Sequence, residues 1–184
     1  MLCALASTTN HTMFEALFDR RLKPTGAFAD ELRVAGYSLA TAVPVYPTEV
    51  WTNCLEIARR HHWPQLSLAD AYRSIGKEYT EGFLETMLGR MVLVALPFMT
   101  PRTFVRRLAS YLRLGRNDAG LTFDLARDEE GSIDALVHNP AGVPGNFVAG
   151  LIDTAMLRFK GVQWTIEVEQ RTRTDYTLLI RWTQ

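Results

Sequence analysis

The hydrophobic period of this chain changes once, and that change limits the folds open to it. Before Asn117, apolar residues recur at helical spacing, as in Trp51, Cys54, Leu55 and Ala58, or Phe104, Leu108, Tyr111 and Leu112. After Asn117 they alternate. Leu121, Phe123 and Leu125 precede a turn at Glu129–Ser132, and Ile133, Ala135 and Val137 follow it. Trp164, Ile166 and Val168, then Tyr176, Leu178, Ile180 and Trp182, repeat the alternation around a turn at 171–175. Between the two hairpins, Phe147 to Phe159 reads as a helix closed by Lys160-Gly161. The expected fold is α+β: an N-terminal helical part, then ββαββ with a four-stranded antiparallel sheet. A single domain over 1–184 is expected, with a flexible tail at 1–12, helices over 13–117 and ββαββ over 118–184. His11 falls in the tail.

Local chemistry marks several helix ends. Thr48 reads as the cap of a helix reaching His61, stopped by His62-Trp63-Pro64. His61 and His62 there suit the negative end of the helix dipole. Ser67 with Asp70 has the form of a capping box, and Thr100-Pro101 that of a cap with proline at the first helical position. Gly115 reads as a left-handed terminator. Gly76 and Gly82 leave it open whether 68–96 is one kinked helix or two.

Composition removes whole classes of function. In 184 residues there are 20 Lys+Arg and 20 Asp+Glu, so the formal net charge is zero. That argues against bulk affinity for nucleic acid or an anionic membrane. Hydrophobic residues make up 47%, too many for a disordered chain. The longest charge-free apolar run, Met91 to Met99, is shorter than the roughly 20 residues of a membrane span. The apolar start, Met1 to Ala6, lacks a basic region, so no signal peptide is read and a cytoplasmic location is expected. Cys3 and Cys54 have no metal-ligand spacing, and Cys54 reads as a small buried hydrophobe. No G-x-S-x-G, P-loop or H-E-x-x-H occurs, which favours a non-enzymatic role. No metal and no cofactor is expected.

Two helices carry unusually few polar residues. From Gly82 to Leu96 the charges are Glu85 and Arg90, and from Phe147 to Phe159 they are Asp153 and Arg158. Both are expected in the middle of the fold. Arg90, on a face with Phe83, Met87 and Val94, is expected to be buried and partnered. The seam between these helices is the candidate ligand site, with Phe83, Met87, Phe147 and Leu151 as apolar lining and Arg90 or His138 as polar contacts. Gly82, Gly89 and Gly150 on these helices leave either tight contact or a gap, so a solid core is the open alternative.

Charge is also uneven along the chain. Between Thr86 and Asn117 there is no Asp or Glu but six Arg, whereas Asp118 to Asp134 carries six acids against Arg127 alone. Either the basic helix neutralises the acidic hairpin, or Arg102, Arg106, Arg113 and Arg116 form a patch for an anion or an acidic protein partner. Few aromatic residues interleave with these arginines, which disfavours nucleic acid.

Four stretches together carry a resemblance. Ala42 to Trp51 (AVPVYPTEVW), Ser74 to Arg90 (SIGKEYTEGFLETMLGR), Thr100 to Leu108 (TPRTFVRRL) and Val143 to Met156 (VPGNFVAGLIDTAM) resemble a DUF2378-like family of uncharacterised, chiefly myxobacterial proteins. The resemblance runs from Phe14 to Trp182. More distantly, helices followed by ββαββ, with GNFVAGLIDTAMLRFKG before the last hairpin, are similar to 4-vinyl reductase-type domains, haem nitric-oxide-binding domains and transport-particle (TRAPP) subunits. That likeness implies a small-molecule-sensing or regulatory module, or else an assembly module acting as a homodimer. The haem-binding group carries an axial His and a Y-x-S-x-R signature. The nearest match here, Tyr111 to Arg116, lacks the Ser and has different Arg spacing. The 4-vinyl reductase-type cysteine cluster has no counterpart after Cys54.

Overall fold

A computed structural model describes residues 7–117 and 120–183 of the chain. It opens with a short strand, β1 (Thr8–Asn10), which leads into a helical turn, α1 (His11–Phe14), and a π-helical stretch, Glu15–Leu22. Helices α2 (Gly26–Val34) and α3 (Thr48–His62) follow, separated by strand β2 (Val45–Pro47). Then come α4 (Leu68–Glu85), α5 (Met87–Ala95), α6 (Pro101–Arg106), α7 (Leu108–Gly115) and the two-residue strand β3 (Arg116–Asn117). The C-terminal part is β4 (Thr122–Glu129), β5 (Ser132–His138), α8 (Gly145–Met156), β6 (Gln163–Gln170) and β7 (Asp175–Thr183). This is the α+β architecture with a four-stranded antiparallel sheet that the change of period implies.

The sheet order is β4-β5-β7-β6, every neighbour antiparallel. Ile133 faces Ile180, and Ile180 faces Ile166, so the alternating residues of three strands stack on one buried face. β4 slips register between Leu125 and Arg127, a bulge near its middle. Gly131 turns the β4–β5 hairpin with φ 76°, a conformation side chains disfavour. Helix α8 lies between this sheet and α4, and ten of its twelve residues are buried. A second small sheet, β2-β1-β3, joins three parts of the chain far apart in sequence. Residues 1–6, the first half of the segment read as a tail, lie outside the described residues. In its second half Thr8–Asn10 forms β1, with Thr9 fully buried.

The segment 68–96 is two helices. The break falls at Thr86, whose hydroxyl accepts a hydrogen bond from Gly89 N at 3.1 Å and so caps α5. Ser67 caps α4 through Asp70 N at 3.1 Å, and Thr100 caps α6 through Thr103 N at 3.2 Å. Thr48 is the first residue inside α3 rather than its cap, and its hydroxyl meets those of Ser7 and Thr9. Gly115 does not take a left-handed conformation. A Cβ there would lie 2.6 Å from Met13 Cγ, so this glycine serves close packing.

Only one of the two apolar helices is central. α8 is buried, but α5 exposes Met87, Met91 and Val94 at 83%, 65% and 72%. The reason is geometric. α5 is apolar on two faces, and only the face bearing Gly89, Val92 and Leu93 turns inward. Arg90 is therefore exposed, contrary to the expectation of burial, and makes no ion pair among the described residues.

Trp51 anchors the core of the helical part, with Phe14, Phe18, Tyr79 and Phe147 at ring separations of 5.1 to 6.2 Å. Cys54 is fully buried beside it, and burial pushes its thiol up to about 12. Cys3 lies outside the described residues. With Cys3 replaced by Ser, the native protein is expected to resist thiol-reactive dye at neutral pH and to label fully in denaturant. Rapid native labelling would contradict the burial of Cys54.

Candidate functional site

α4, the α5–α7 segment and α8 surround a cavity of about 90 Å³. α4 contributes Tyr79, Thr80, Phe83 and Leu84 to its wall, and α8 contributes Phe147, Val148, Leu151 and Ala155. Val92 and Leu96 close one side, with Phe104, Leu108, Tyr111 and Leu112 from α6 and α7. Arg116, Leu121, Asn139 and Val143 line the end towards the sheet, and Met13 completes the wall. The volume is well below the roughly 300–1,000 Å³ of a drug-sized site and smaller than an engineered cavity of about 150 Å³ that holds benzene.

Thr80, Tyr111 and Asn139, all on the wall of this space, have internal partners. Thr80 Oγ1 donates to Gly76 O at 3.0 Å, as a hydroxyl often does inside a helix. Tyr111 Oη donates to Met99 Sδ at 3.3 Å. Asn139, 1% exposed, donates from Nδ2 to Val143 O at 3.2 Å and accepts from Arg116 Nη2 at 3.0 Å. Burial holds the Tyr79 phenol well above its ordinary range, with the Arg116 charge pulling the other way. Tyr79 therefore stays neutral across physiological pH.

Of the residues read from the sequence as ligand contacts, Phe83, Phe147 and Leu151 line this cavity. Met87 and Arg90 do not. They lie on the outer side of α5, in a shallow groove with Arg20, Glu85, Met91 and Val94. His138 stands at the far end of β5, where its Nδ1 meets Asp175 Oδ1 at 2.7 Å. Hydrogen bonds from Thr172, His138 and Thr174 pull the Asp175 carboxyl down to about 2. The sequence reading missed the contribution of α6 and α7, while of the strand-end pair His138-Asn139 that it weighed as ligand contact or turn, Asn139 is the one at the cavity. Helical spacing shows which residues share a face, but not that the face covers a cavity.

The arginine cluster divides. Arg102 Nε and Arg106 Nε donate to Asp128 at 2.8 and 2.6 Å, and Arg102 also approaches Glu130 at 3.8 Å. Here the basic helix does sit against the acidic hairpin, and both arginines lower the Asp128 carboxyl. Arg113 Nη2 donates to Leu121 O at 3.0 Å. Arg116 is the buried member, 6% exposed at the cavity.

The fold is shared with solved structures. A mutant H-NOX protein from K. algicida in the unliganded Fe(II) state aligns with TM-score 0.70 at 13% identity, over 95% of this chain and 97% of that one. An H-NOX protein from S. oneidensis in the Fe(II)NO state aligns with TM-score 0.70 at 14% identity, over 96% and 100%. A mutant of the T. tengcongensis H-NOX aligns with TM-score 0.60 at 9% identity, over 85% and 87%. Likeness at such identity establishes the fold and not the ligand.

The residues at the cavity do not fit a haem. A porphyrin has dozens of heavy atoms, and a space of about 90 Å³ is smaller than the engineered cavity of about 150 Å³ that holds a single benzene. No His or Cys lines the cavity among the described residues. His11 lies near the tilted rings of Tyr37 and Tyr46, His61 meets Glu31, His62 meets Phe28 edge to face, and His138 meets Asp175. Nor do three His, Cys, Asp or Glu residues converge on a metal-sized site among the described residues. No helix of the described residues is long and apolar enough to cross a membrane.

No curated protein matches the chain. A family model described as a protein of unknown function (DUF2378) matches residues 7–183, so the chain belongs to the DUF2378 family.

Proposed function

We propose that this chain is a non-enzymatic sensing module that takes a small molecule into the cavity between α4, the α5–α7 segment and α8. One observation carries this reading: an apolar space between the helices and the sheet end, in a fold shared with H-NOX proteins, with no His or Cys on its walls among the described residues. An apolar wall with a few placed polar groups suits recognition better than acid–base chemistry. Helix α5 connects the two sides. Its inner face, through Val92, borders the cavity, and its outer face carries Met87, Met91 and Val94. A ligand that pushes on Val92 would shift that outer surface, which gives binding a route to a signal. A cytoplasmic location accords with this role.

The test uses xenon, which enters dry apolar cavities. Xenon under pressure is expected to change the chemical shifts of methyl groups on Val92, Leu151 and Ala155. Val92→Phe should abolish that response while the chain still melts cooperatively. Xenon shifts that are absent, or scattered over the surface, would remove the sensing reading.

A second reading is favoured by the outer stripe. Met87, Met91, Val94 and Phe98 fall on one side of α5 and its continuation, with Phe98 at 88% exposure. This suits assembly as a homodimer. Sedimentation should then show a dimer that Met91→Asp converts to a monomer, and a monomer at all concentrations would exclude it.

A further inference from the structure

We infer that the cleft between α3 and the β6–β7 turn is a second ligand site, which takes a small organic phosphate with its phosphate monoester group on Arg171 and Arg173. This goes beyond the cavity reading and stands apart from it, since the two spaces share no wall residue. The cleft holds about 500 Å³, within the roughly 300–1,000 Å³ of small-molecule sites. Asn53 and Glu56 of α3 and Tyr72 of α4 form part of its wall, and Gly142, Pro144 and the turn at 170–173 form the rest. Both arginines are exposed, and neither guanidinium makes a hydrogen bond or ion pair among the described residues. Arg173 can be placed closely. A Cβ on Gly142 would stand 3.2 Å from Arg173 Nε, so the side chain passes over that glycine. Its charge also reaches Tyr72. Burial and Glu56 push the Tyr72 phenol up to about 12, while the charges of Arg59 and Arg173 pull the other way.

The turn that carries both arginines is held in place by its own hydrogen bonds. Arg171 N and Thr172 N donate to Asp175 O at 2.9 and 3.0 Å, and Thr174 N and Asp175 N donate to Thr172 Oγ1 at 3.2 and 3.0 Å. Asn139 N donates to Thr174 O at 2.7 Å, which ties the turn to the loop before α8. A site set in advance loses less on binding. The acids nearby are already engaged. Asp175 is taken up by Thr172, Thr174 and His138. Glu56, the one carboxylate on the wall among the described residues, accepts from Arg59 Nε at 2.9 Å, Arg59 Nη2 at 2.6 Å and Tyr72 Oη at 3.0 Å. The unused capacity is therefore donor capacity, from two guanidinium forks and the Asn53 amide. That surplus suits an anion with several oxygens. A phosphate monoester carries a charge of about −1.5 to −2 at neutral pH and three acceptor oxygens, so it can engage both forks, where a carboxylate fills one. A bare phosphate would leave most of the cleft empty. The ring of Tyr72 with Leu55 and Pro144 offers an apolar wall for the organic body.

The experiment titrates the full chain with phenyl phosphate, and with inorganic phosphate and benzoate as partial mimics, by calorimetry and NMR at low salt. Phenyl phosphate is expected to bind about tenfold more tightly than either mimic, since each keeps one half of the match. Arg171→Gln and Arg173→Gln should each weaken it about tenfold, as for the loss of a charge-assisted hydrogen bond, and the double variant should not bind. Both side chains are exposed, so the variants should melt as the parent does. Asn53→Asp, which adds an acid to the wall, should also weaken binding, and added salt should do so in the parent. The amide resonances of Gly142 and Arg173 should shift on binding, while the methyl groups of Val92 and Leu151 at the cavity should not. No binding of phenyl phosphate, or binding that both arginine variants retain in full, would overturn the site. Benzoate bound as tightly would overturn the phosphate assignment, and inorganic phosphate bound as tightly would overturn the organic body. Xenon reads a different space, so its failure leaves this inference standing, and failure here leaves the cavity reading standing.

Discussion

Gly76→Ala is expected to lower the melting temperature by about 6–12 °C, against the direction that helix propensity alone dictates. Alanine is the better helix former by about 1 kcal/mol in an open helix. Here α4 and α8 cross with their backbones in contact. A Cβ on Gly76 would stand 2.1 Å from Phe147 O and 3.1 Å from Gly150 Cα. A Cβ on Gly150 would stand 2.1 Å from Arg73 O and 3.0 Å from Lys77 N. No flexible side chain can turn aside, so the helices must separate. Overpacking of this kind costs about 1–3 kcal/mol, and a backbone collision lies at the upper end of that range. Gly150→Ala should cost a similar amount. The double variant should cost less than the sum, because both residues guard one crossing. Gly161 is the contrasting site, since a Cβ there meets nothing within 4 Å and only its φ of 76° opposes a side chain. Gly161→Ala should cost about 1–2 kcal/mol. A rise in melting temperature for Gly76→Ala would show that the helices do not approach this closely.

The same crossing shows how far the sequence could be read. Glycines on the apolar helices leave either a tight contact or a gap, and at Gly76, Gly82, Gly89 and Gly150 the outcome is contact. A Cβ on Gly82 would stand 1.9 Å from Ala16 O, and one on Gly89 would stand 1.9 Å from Phe83 O. The cavity lies between these contacts, where large side chains fail to meet. No spacing rule foretells where packing fails. What was legible was local. The alternation after Asn117 yields the four strands, and Ser67 and Thr100 mark the starts of their helices because a cap depends on three or four neighbouring residues. The β2-β1-β3 sheet was not legible, since strands of two and three residues carry no period. α5 misled for a different reason. A helix apolar on both faces looks buried, and only the tertiary arrangement decides which face is left bare.

Asp153→Ala is expected to cost about 2–3 kcal/mol, the second large effect. Asp153 is 8% exposed on α8 and takes two hydrogen bonds from one guanidinium, Arg73 Nε at 2.7 Å and Nη2 at 3.0 Å. Trp164 Nε1 adds a third at 3.2 Å, and Lys77 Nζ lies at 3.5 Å. Arg73 also donates to Ile166 O at 3.1 Å. One carboxylate thus ties α4, α8 and β6 together beside the Gly76–Gly150 crossing. Removing it leaves a half-buried guanidinium with a single carbonyl. A fully buried broken pair costs about 3–5 kcal/mol, and the 30% exposure of the Arg73 side chain lowers that figure here. Arg73→Met with Asp153→Leu should recover much of the loss, because no stranded charge remains. The carboxylate also ties stability to acid. Burial pushes its pKa up, but Arg73, Trp164 and Lys77 outweigh burial and hold it below the ordinary 3.8. A depressed folded value means that its contribution is whole above about pH 4 and fades as pH falls further. Asp153→Asn should therefore flatten the acid limb of a stability profile measured by urea unfolding from pH 6 downward. An unchanged acid limb in Asp153→Asn, or an Asp153→Ala variant as stable as the parent, would show that this tie does not hold the helices to the sheet.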